Sequence, residues 1–172
     1  MPHDFMEPRA WHASLAGVIA VAGALITNAS GNVLLVKQNY RDAWALPGGI
    51  CEFGEPPHEG CRREVAEELG LDRPAGRLLA VDWYPAGEQY GPAARPGLYF
   101  TFDGGRLGTE TGIALQYEEL DDYQFVPQAG LEALLAPPVL RRVLGALAAL
   151  RSGGTTYVPT WAAAQRLPGG PG

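Results

Sequence analysis

Residues 58–69 constrain the fold of this chain more than any other stretch of the sequence. Their pattern predicts an α-helix, because Val65 and Leu69 stand four residues apart and would share one apolar face. The helix is expected to begin after Pro56-Pro57, since proline fits only the first turn of a helix, and to end at Gly70, a common helix-capping residue. One side of the helix should therefore pack on a hydrophobic core.

The same helix places three carboxylates, those of Glu64, Glu67 and Glu68, at positions i, i+3 and i+4, which form one face. Like charges at these spacings repel, and each pair costs roughly a few tenths of a kcal/mol in an isolated helix. Carboxylate oxygens are the ligands that Mg²⁺ prefers, so the face is a candidate metal site. The alternative is a solvated acidic face paired locally with Arg62 and Arg63.

The rest of the sequence mixes strands and helices without a regular alternation. Strands are predicted at residues 15–26, 33–36, 78–83, 98–102, 113–115 and 123–126, and helices at residues 130–135 and 139–150. Turn residues at 30–32 make the first two strands a hairpin, residues 44–49 are predicted to be irregular, and Asp103-Gly104-Gly105 predicts another turn. This order favours an α/β (α+β) domain, with helices packed on a mixed sheet.

The 172 residues suit a single domain. Residues 13–151 are expected to form it, with a loose N-terminal arm at 1–12 and a weakly ordered tail, rich in Gly and Pro, at 152–172. Residues 15–26 are apolar but too few to span a bilayer, and Asp4 and Glu7 precede them where a secretory signal would be basic. A buried strand and a cytoplasmic location are the expectation.

The formal net charge of −6 argues against general binding to a nucleic-acid polymer or an anionic membrane. An acidic protein that handles polyphosphate must supply positive charge locally, and a metal ion commonly does so. The two cysteines, Cys51 and Cys61, form no disulfide framework, and both are expected to be packing residues in a reducing compartment.

The sequence around the predicted helix resembles a long family motif. Gly49, then five residues, Glu55, seven more, and the run REVAEELGL at 63–71 match every one of the nine constrained positions of Gx5Ex7REUxEExGU, the Nudix box, in which U is aliphatic. Residues 44–49 and 123–127 also lie where the family has similar features. The chain is identified on this basis as a member of the Nudix hydrolase (MutT-like) family, which implies an α/β/α sandwich.

The resemblance implies roles for the residues of the motif. Glu64, Glu67 and Glu68 would bind Mg²⁺, or Mn²⁺ in its place, and either Glu64 or Glu68 would activate water. Arg63 would orient a neighbouring glutamate and is the fourth member of the catalytic set. Glu55 and Gly70 would support the loop geometry.

Further metal and substrate contacts are expected outside the helix. Gly48 and Gly49 would bring backbone groups close to the metal and the substrate, with Gly49 counted among the metal contacts. A later acidic ligand is expected at Glu118 or Glu119, with Glu110 a weaker candidate. Substrate contacts are expected at Tyr40, Arg41 and Trp44. Trp83, Tyr84 and Tyr90 are interpreted first as packing residues, with contact to a nucleobase as the alternative.

The expected substrate is a small nucleoside diphosphate derivative, first a (deoxy)nucleoside triphosphate, including oxidised ones. An ADP-ribose or nucleotide-sugar pyrophosphatase is the alternative. Two readings without catalysis remain: a nucleotide-binding regulator and a structural protein with an incidental acidic helix. A homodimer is common in the family and enters only by resemblance.

Overall fold

A computed structural model of the protein describes residues 7–15, 17–40, 42–85, 95–108 and 111–159. Within these residues an eight-stranded mixed sheet lies between helices. Its strands are β1 Ile19–Thr27, β2 Val33–Gln38, β3 Trp44–Ala45, β4 Gly48–Ile50, β5 Leu78–Tyr84, β6 Gly97–Arg106, β7 Leu120–Val126 and β8 Thr156–Pro159. The helices are α1 Pro8–Ser14, α2 Pro57–Leu69 and α3 Pro137–Ser152, with a 3₁₀ helix at Gln128–Ala133.

The strand order across the sheet is β3-β2-β1-β6-β5-β8, with β4 paired to β1 and β7 paired to β2. The β1–β6 and β5–β8 pairs are parallel and the other pairs are antiparallel. β1 pairs with β2 at Thr27 and Val33, near its carboxyl end, and with β4 over residues 21–23. The predicted hairpin is therefore present, and β4 occupies the edge of β1 that β2 leaves uncovered.

Side chains that alternate along the central strands build two separate cores. Leu34 and Val36 of β2 pack in the cluster that contains Val65 and Leu69 of α2. Val33 and Leu35, on the other face of the same strand, pack in the cluster that contains α3. The sheet therefore lies between two helical layers, which confirms the predicted α/β/α sandwich with a mixed sheet.

The helix that carries the acidic motif was predicted closely. α2 begins at Pro57, one residue earlier than expected, with proline in its first turn. It ends at Gly70, which has a left-handed backbone with φ of 68° and donates its N–H to the carbonyl of Ala66 at 3.0 Å. Val65 and Leu69 are buried, as the apolar face requires.

Several local predictions were wrong. Asp103-Gly104-Gly105 is not a turn between strands but an irregularity within β6, where the register against β1 shifts and Gly105 takes a φ of 74°. Residues 113–115 form no strand, because their backbone bonds to the end of α2, with Ala114 N–H donating to the carbonyl of Leu69 at 2.9 Å. Residues 44–49, predicted to be irregular, contain β3 and β4. The helix predicted at 130–135 is the 3₁₀ helix.

Both predicted ends contain regular structure in their described parts. Pro8 starts α1 inside the arm that was expected to be loose, since its fixed φ suits a first helical turn. β8 lies inside the tail that was expected to be weakly ordered, because the edge of β5 offers backbone partners to Thr156–Pro159. Residues 160–172 lie outside the described part of the chain. None of the described helices combines the length and apolar character that crossing a membrane requires.

Candidate active site

Strand β4 contacts the glutamates of α2 through two adjacent glycines, Gly48 and Gly49. Glu68 is only 3% exposed, and its Oε2 accepts a hydrogen bond of 2.8 Å from the backbone N–H of Gly48. A Cβ atom on Gly49 would lie 2.5 Å from Oε1 of Glu64, so any side chain there would displace that carboxylate. Gly48 has a φ of 139°, and a Cβ on it would collide with the carbonyl oxygen of Ala22. β4 can approach the glutamates this closely only because both positions are glycine.

Arg63 ties the helix to the preceding loop. Its Nε and Nη2 donate to the two carboxylate oxygens of Glu55, each at 3.0 Å. Its Nη1 donates to Glu64 and to Glu67, each at 2.9 Å, and Nη2 also donates to the carbonyl of Ile50 at 3.1 Å. These contacts use all five N–H groups of the guanidinium, which fixes its plane and the carboxylates around it.

Glu55 is a partner of Arg63 and also a support of the loop. Its Oε2 accepts the backbone N–H of Glu52 at 2.8 Å, closing the turn before α2. The bond from the Arg63 guanidinium holds the pKa of Glu55 below its usual range, and the pKa of Arg63 is raised in return. The position predicted to brace the loop therefore contacts both the loop backbone and the helix.

Negative charge is poorly tolerated at Glu64 and Glu68. Burial raises the pKa of Glu68 to about 8, against the opposing bond from Gly48, and the charges of Glu64, Glu119 and Glu67 raise it further. Burial also raises the pKa of Glu64, although the bond and charge of Arg63 oppose the rise. These carboxylates would gain most from a nearby cation, because it would stabilise their ionised forms.

The two candidates for a later acidic ligand are placed differently. Glu119 lines the same cleft as Glu64 and Glu68, and its backbone carbonyl accepts the N–H of Asn39 at 2.9 Å. Glu118 does not line this cleft, although its carbonyl accepts a bond of 2.8 Å from the side chain of Asn39. The structure therefore brings Glu119, and not Glu118, towards the glutamates of α2. Glu110 lies outside the described residues.

The cleft has a volume of about 920 Å³. Gly48, Gly49 and Tyr40, for which substrate contacts are expected, line it, and Tyr40 is 66% exposed. Trp44, predicted as a substrate contact, instead packs against the core beneath α3, because β3 turns that side chain towards the sheet interior. Arg41 and Tyr90 lie outside the described residues.

Sequence reasoning missed two residues of the wall, Tyr99 and Arg142, and interpreted a third, Tyr84, first as a packing residue. Tyr84, Tyr99 and Arg142, from β5, β6 and α3, also line the cleft. Burial raises the pKa of Tyr99 to about 12, so its hydroxyl stays protonated at neutral pH. The available signal was a charge within each of two largely apolar elements: Asp82 in LLAVDWY, and Arg142, one of three arginines in α3. The two form an ion pair.

A hard divalent cation fits the donor set of this cleft. Glu64 and Glu68 would supply oxygen ligands, and burial destabilises their ionised forms. Glu67 is half-exposed and bonded to Arg63, and the described residues contain no ready-made group of three acidic, His or Cys side chains around one point. A cation would therefore complete its coordination with water and substrate phosphates, as Mg²⁺ commonly does.

Known proteins resemble this chain in sequence and in fold. The NUDIX domain model matches residues 18–147. The ADP-ribose pyrophosphatase-like protein YjhB of Bacillus subtilis (strain 168) is 47% identical over 49 residues, which cover 28% of this chain and 24% of that protein. An RNA pyrophosphohydrolase of Pseudomonas fluorescens (strain SBW25) is 38% identical over 58 residues, which cover 34% of this chain and 36% of that one.

Among solved structures, a MutT protein from Methanosarcina mazei Go1 superposes with a TM-score of 0.63 at 26% identity, covering 81% of this chain and 99% of that one. The chain thus matches about a quarter to a third of the length of these two curated relatives, and nearly all of this structural neighbour. Because the family model spans most of the sequence, the chain belongs to the Nudix family.

Proposed function

We propose that this protein is a metal-dependent Nudix hydrolase that cleaves the phosphoanhydride bond of a small nucleoside diphosphate derivative. The observation that carries the proposal is Glu68, a buried carboxylate bonded to the Gly48 amide beside Glu64, at a cleft that also contains Glu119. A surface acidic face would have solvated carboxylates, whereas this one is desolvated and faces a cavity. The geometry therefore favours metal and phosphate chemistry over incidental surface charge.

Glu64 and Glu68 would hold Mg²⁺, or Mn²⁺ in its place, with Glu119 as a further ligand. A cation bound there would neutralise the diphosphate and lower the pKa of its water. Arg63 keeps Glu64 and Glu67 in position through its bonds to both. Glu68 or Glu64 would accept the proton of the attacking water.

A (deoxy)nucleoside triphosphate is the proposed substrate. The cleft volume of about 920 Å³ lies within the range of small-molecule sites, which is roughly 300–1,000 Å³. The likeness to the MutT protein over nearly its whole length supports a Nudix hydrolase fold that holds such a substrate. The net charge of −6 supports a small, metal-neutralised substrate over a nucleic-acid polymer. We further propose that the protein acts in the cytoplasm, and as a homodimer, which light scattering in solution would test.

The test is hydrolysis of a substrate panel by the purified full chain with Mg²⁺ or Mn²⁺. The panel contains nucleoside and deoxynucleoside triphosphates, oxidised dGTP, ADP-ribose, a nucleotide sugar and NADH, with product analysis to identify the bond cleaved. The Glu68→Gln variant should lose at least about a hundredfold in kcat, the usual scale for a missing acid–base group.

The matched control is Glu59→Gln. Glu59 lies on the same helix, is half-exposed, and pairs with Arg62 outside the cleft. This variant should retain the rate of the wild-type protein. Equal rates for the wild-type and Glu68→Gln proteins on every substrate would refute the proposed activity.

A further inference from the structure

A built arrangement of charged and aromatic side chains forms a second part of the cleft wall, beyond the glutamates. Asp82 of β5 is 0% exposed, and its Oδ2 accepts a bond of 3.0 Å from Nε of Arg142 and lies 2.9 Å from Nη2. Arg142 of α3 is 9% exposed. Its guanidinium carbon lies 3.7 Å from the centroid of the Tyr99 ring. The Arg142 side chain is therefore fixed from one edge and from one face.

Two strand glycines make room for the tyrosines of this wall. Gly97 lies opposite Tyr84 in the β5–β6 register, and a Cβ on Gly97 would overlap the Tyr84 ring. A Cβ on Gly23 would overlap the hydroxyl of Tyr99. Glycine weakens a strand interior, because it loses more backbone entropy on folding than other residues do. Both tyrosines therefore pack in the cleft wall at positions where the neighbouring strand residue must be glycine.

The arrangement defines the chemistry of a ligand. Arg142 is the only cationic side chain among the described residues that line the cleft. Asp82 contacts the Nε edge of the guanidinium, and no described residue accepts a bond from Nη1. Guanidinium groups only donate, so the ligand must present acceptors. Tyrosine rings and the apolar side chains of Pro138 and Val139 favour a planar, largely apolar partner.

We propose that Arg142, held by Asp82 against Tyr99, selects the nucleobase, and that the wall it forms with Tyr84 accepts a base that has a carbonyl oxygen on its edge. Guanine and hypoxanthine present carbonyl and ring-nitrogen acceptors, a pattern that arginine reads with two parallel bonds. Adenine presents an amino donor at the same position, which would face the donors of Arg142. This inference rests on the proposed hydrolysis of nucleotides.

Arg142 is better placed for the base than for the phosphates. Asp82 already compensates most of its charge at 2.9 Å, whereas a phosphate-binding arginine gains from a full positive charge. A cation held by Glu64 and Glu68 would already neutralise the diphosphate. Arg142 therefore contributes directional hydrogen bonds at a nearly neutral site.

Inosine triphosphate and ATP provide the sharpest comparison, because their bases differ in the group at carbon 6, a carbonyl in one and an amine in the other. We expect kcat/KM for inosine triphosphate to exceed that for ATP by on the order of tenfold to a hundredfold, the scale of one good bidentate contact. The difference should appear mainly in KM. Equal values for the two nucleotides would overturn the inference and leave the hydrolase proposal intact.

The assignment to Arg142 is tested with the double variant Asp82→Asn/Arg142→Met, which avoids leaving Asp82 buried without its cation. In this double variant the ratio of kcat/KM for inosine triphosphate to that for ATP should fall to near one. Arg142→Lys keeps the charge but loses the paired guanidinium donors, so its ratio should lie between those of the wild-type protein and the double variant. Arg151→Met is the matched control, since Arg151 is an exposed residue of α3 outside the cleft, and it should keep the wild-type ratio. Equal losses for both nucleotides would instead assign Arg142 to the phosphates and overturn the inference.

A binding measurement separates this inference from the proposed activity. Titration of inosine triphosphate and ATP into Glu68→Gln protein with Mg²⁺ should show tighter binding of the former without turnover. Tighter binding combined with no hydrolysis by the wild-type protein would refute the activity alone. Binding of neither nucleotide, or of both equally, would overturn the base selection.

Discussion

Glu68 holds its carboxylate where water solvates it poorly, next to other acidic groups. In the unfolded chain Glu68 loses its proton near pH 4.5. Burial raises the pKa of Glu68 in the folded, metal-free protein to about 8. The folded state therefore binds one more proton than the unfolded state between these values. The stabilisation is present in full below pH 4.5 and is lost as the pH rises towards 8, with a slope of up to about 1.4 kcal/mol per pH unit.

We therefore predict that the free energy of unfolding of metal-free protein decreases from pH 5 to pH 8. Urea denaturation in EDTA measures it. The Glu68→Gln variant should show a shallower decrease, although some slope remains because the pKa of Glu64 is also raised. Added Mg²⁺ should stabilise the wild-type protein more at pH 8 than at pH 5, since it binds the ionised carboxylate. Parallel curves for wild type and variant would contradict this account.

Individual residues of the site differed in how far the sequence could locate them. Glu64, Glu67 and Glu68 are contiguous on one helix, so helical spacing alone places them on a shared face. Asp82 and Arg142 are 60 residues apart, and no local pattern shows that they meet. The sequence could locate charges inside apolar elements, but their partnership depends on how α3 packs across β5.

At the level of elements, Gly70 lies where the end of α2 contacts the segment between β6 and β7. Its φ of 68° is a left-handed conformation that strains any other residue by roughly 1–2 kcal/mol. A Cβ on Gly70 would also lie 2.9 Å from the Cβ of Ala114, whose N–H bonds to Leu69 beside it. Gly153 ends α3 with a similar φ of 79°, but a Cβ there would meet no atom within 4 Å.

These two helix ends form a matched pair. We predict that Gly70→Ala and Gly153→Ala both destabilise the protein, and that Gly70→Ala does so by about 1 kcal/mol more, because an overpacked contact adds to the backbone strain. The midpoint of urea unfolding measures the difference. Gly70→Ala should also lower kcat, since it displaces the turn of α2 that contains Glu68. Equal destabilisation would show that the contact with Ala114 relaxes freely.

Elements with a strong local signal were predicted well, and those set by tertiary partners were not. α2 has a proline start, an apolar stripe and a glycine end, so its bounds followed from sequence. Asp103-Gly104-Gly105 has the composition of a turn, yet β6 continues because β1 lies parallel beside it as far as Thr27. Gly104 allows this approach, since a Cβ there would collide with Ile26. Such a pairing is invisible to local pattern.

In the whole molecule, the two hydrophobic cores position different parts of the cleft. The core under α2 fixes the glutamates against β4, and the core under α3 fixes Arg142 against β5. The cleft takes residues from both layers, so its shape depends on the central sheet that separates them. β8 belongs to the α3 side, where it pairs with β5 from Ala80 to Trp83, the stretch that contains Asp82.

This position gives β8 a structural role that truncation can measure. We predict that a chain ending at Gly154 is less stable than one ending at Pro159, by about 1–3 kcal/mol, corresponding to a decrease in Tm of roughly 2–12 °C. Removing Thr156–Pro159 leaves one edge of β5 unpaired and takes Val158 from the α3 core. It also removes the bond of 2.7 Å from the Thr155 hydroxyl to the carbonyl of Leu78. Both chains lack residues 160–172, so their difference isolates β8 and the preceding Thr155. Differential scanning calorimetry measures this difference in stability. Identical Tm values would show that pairing with β8 does not stabilise β5.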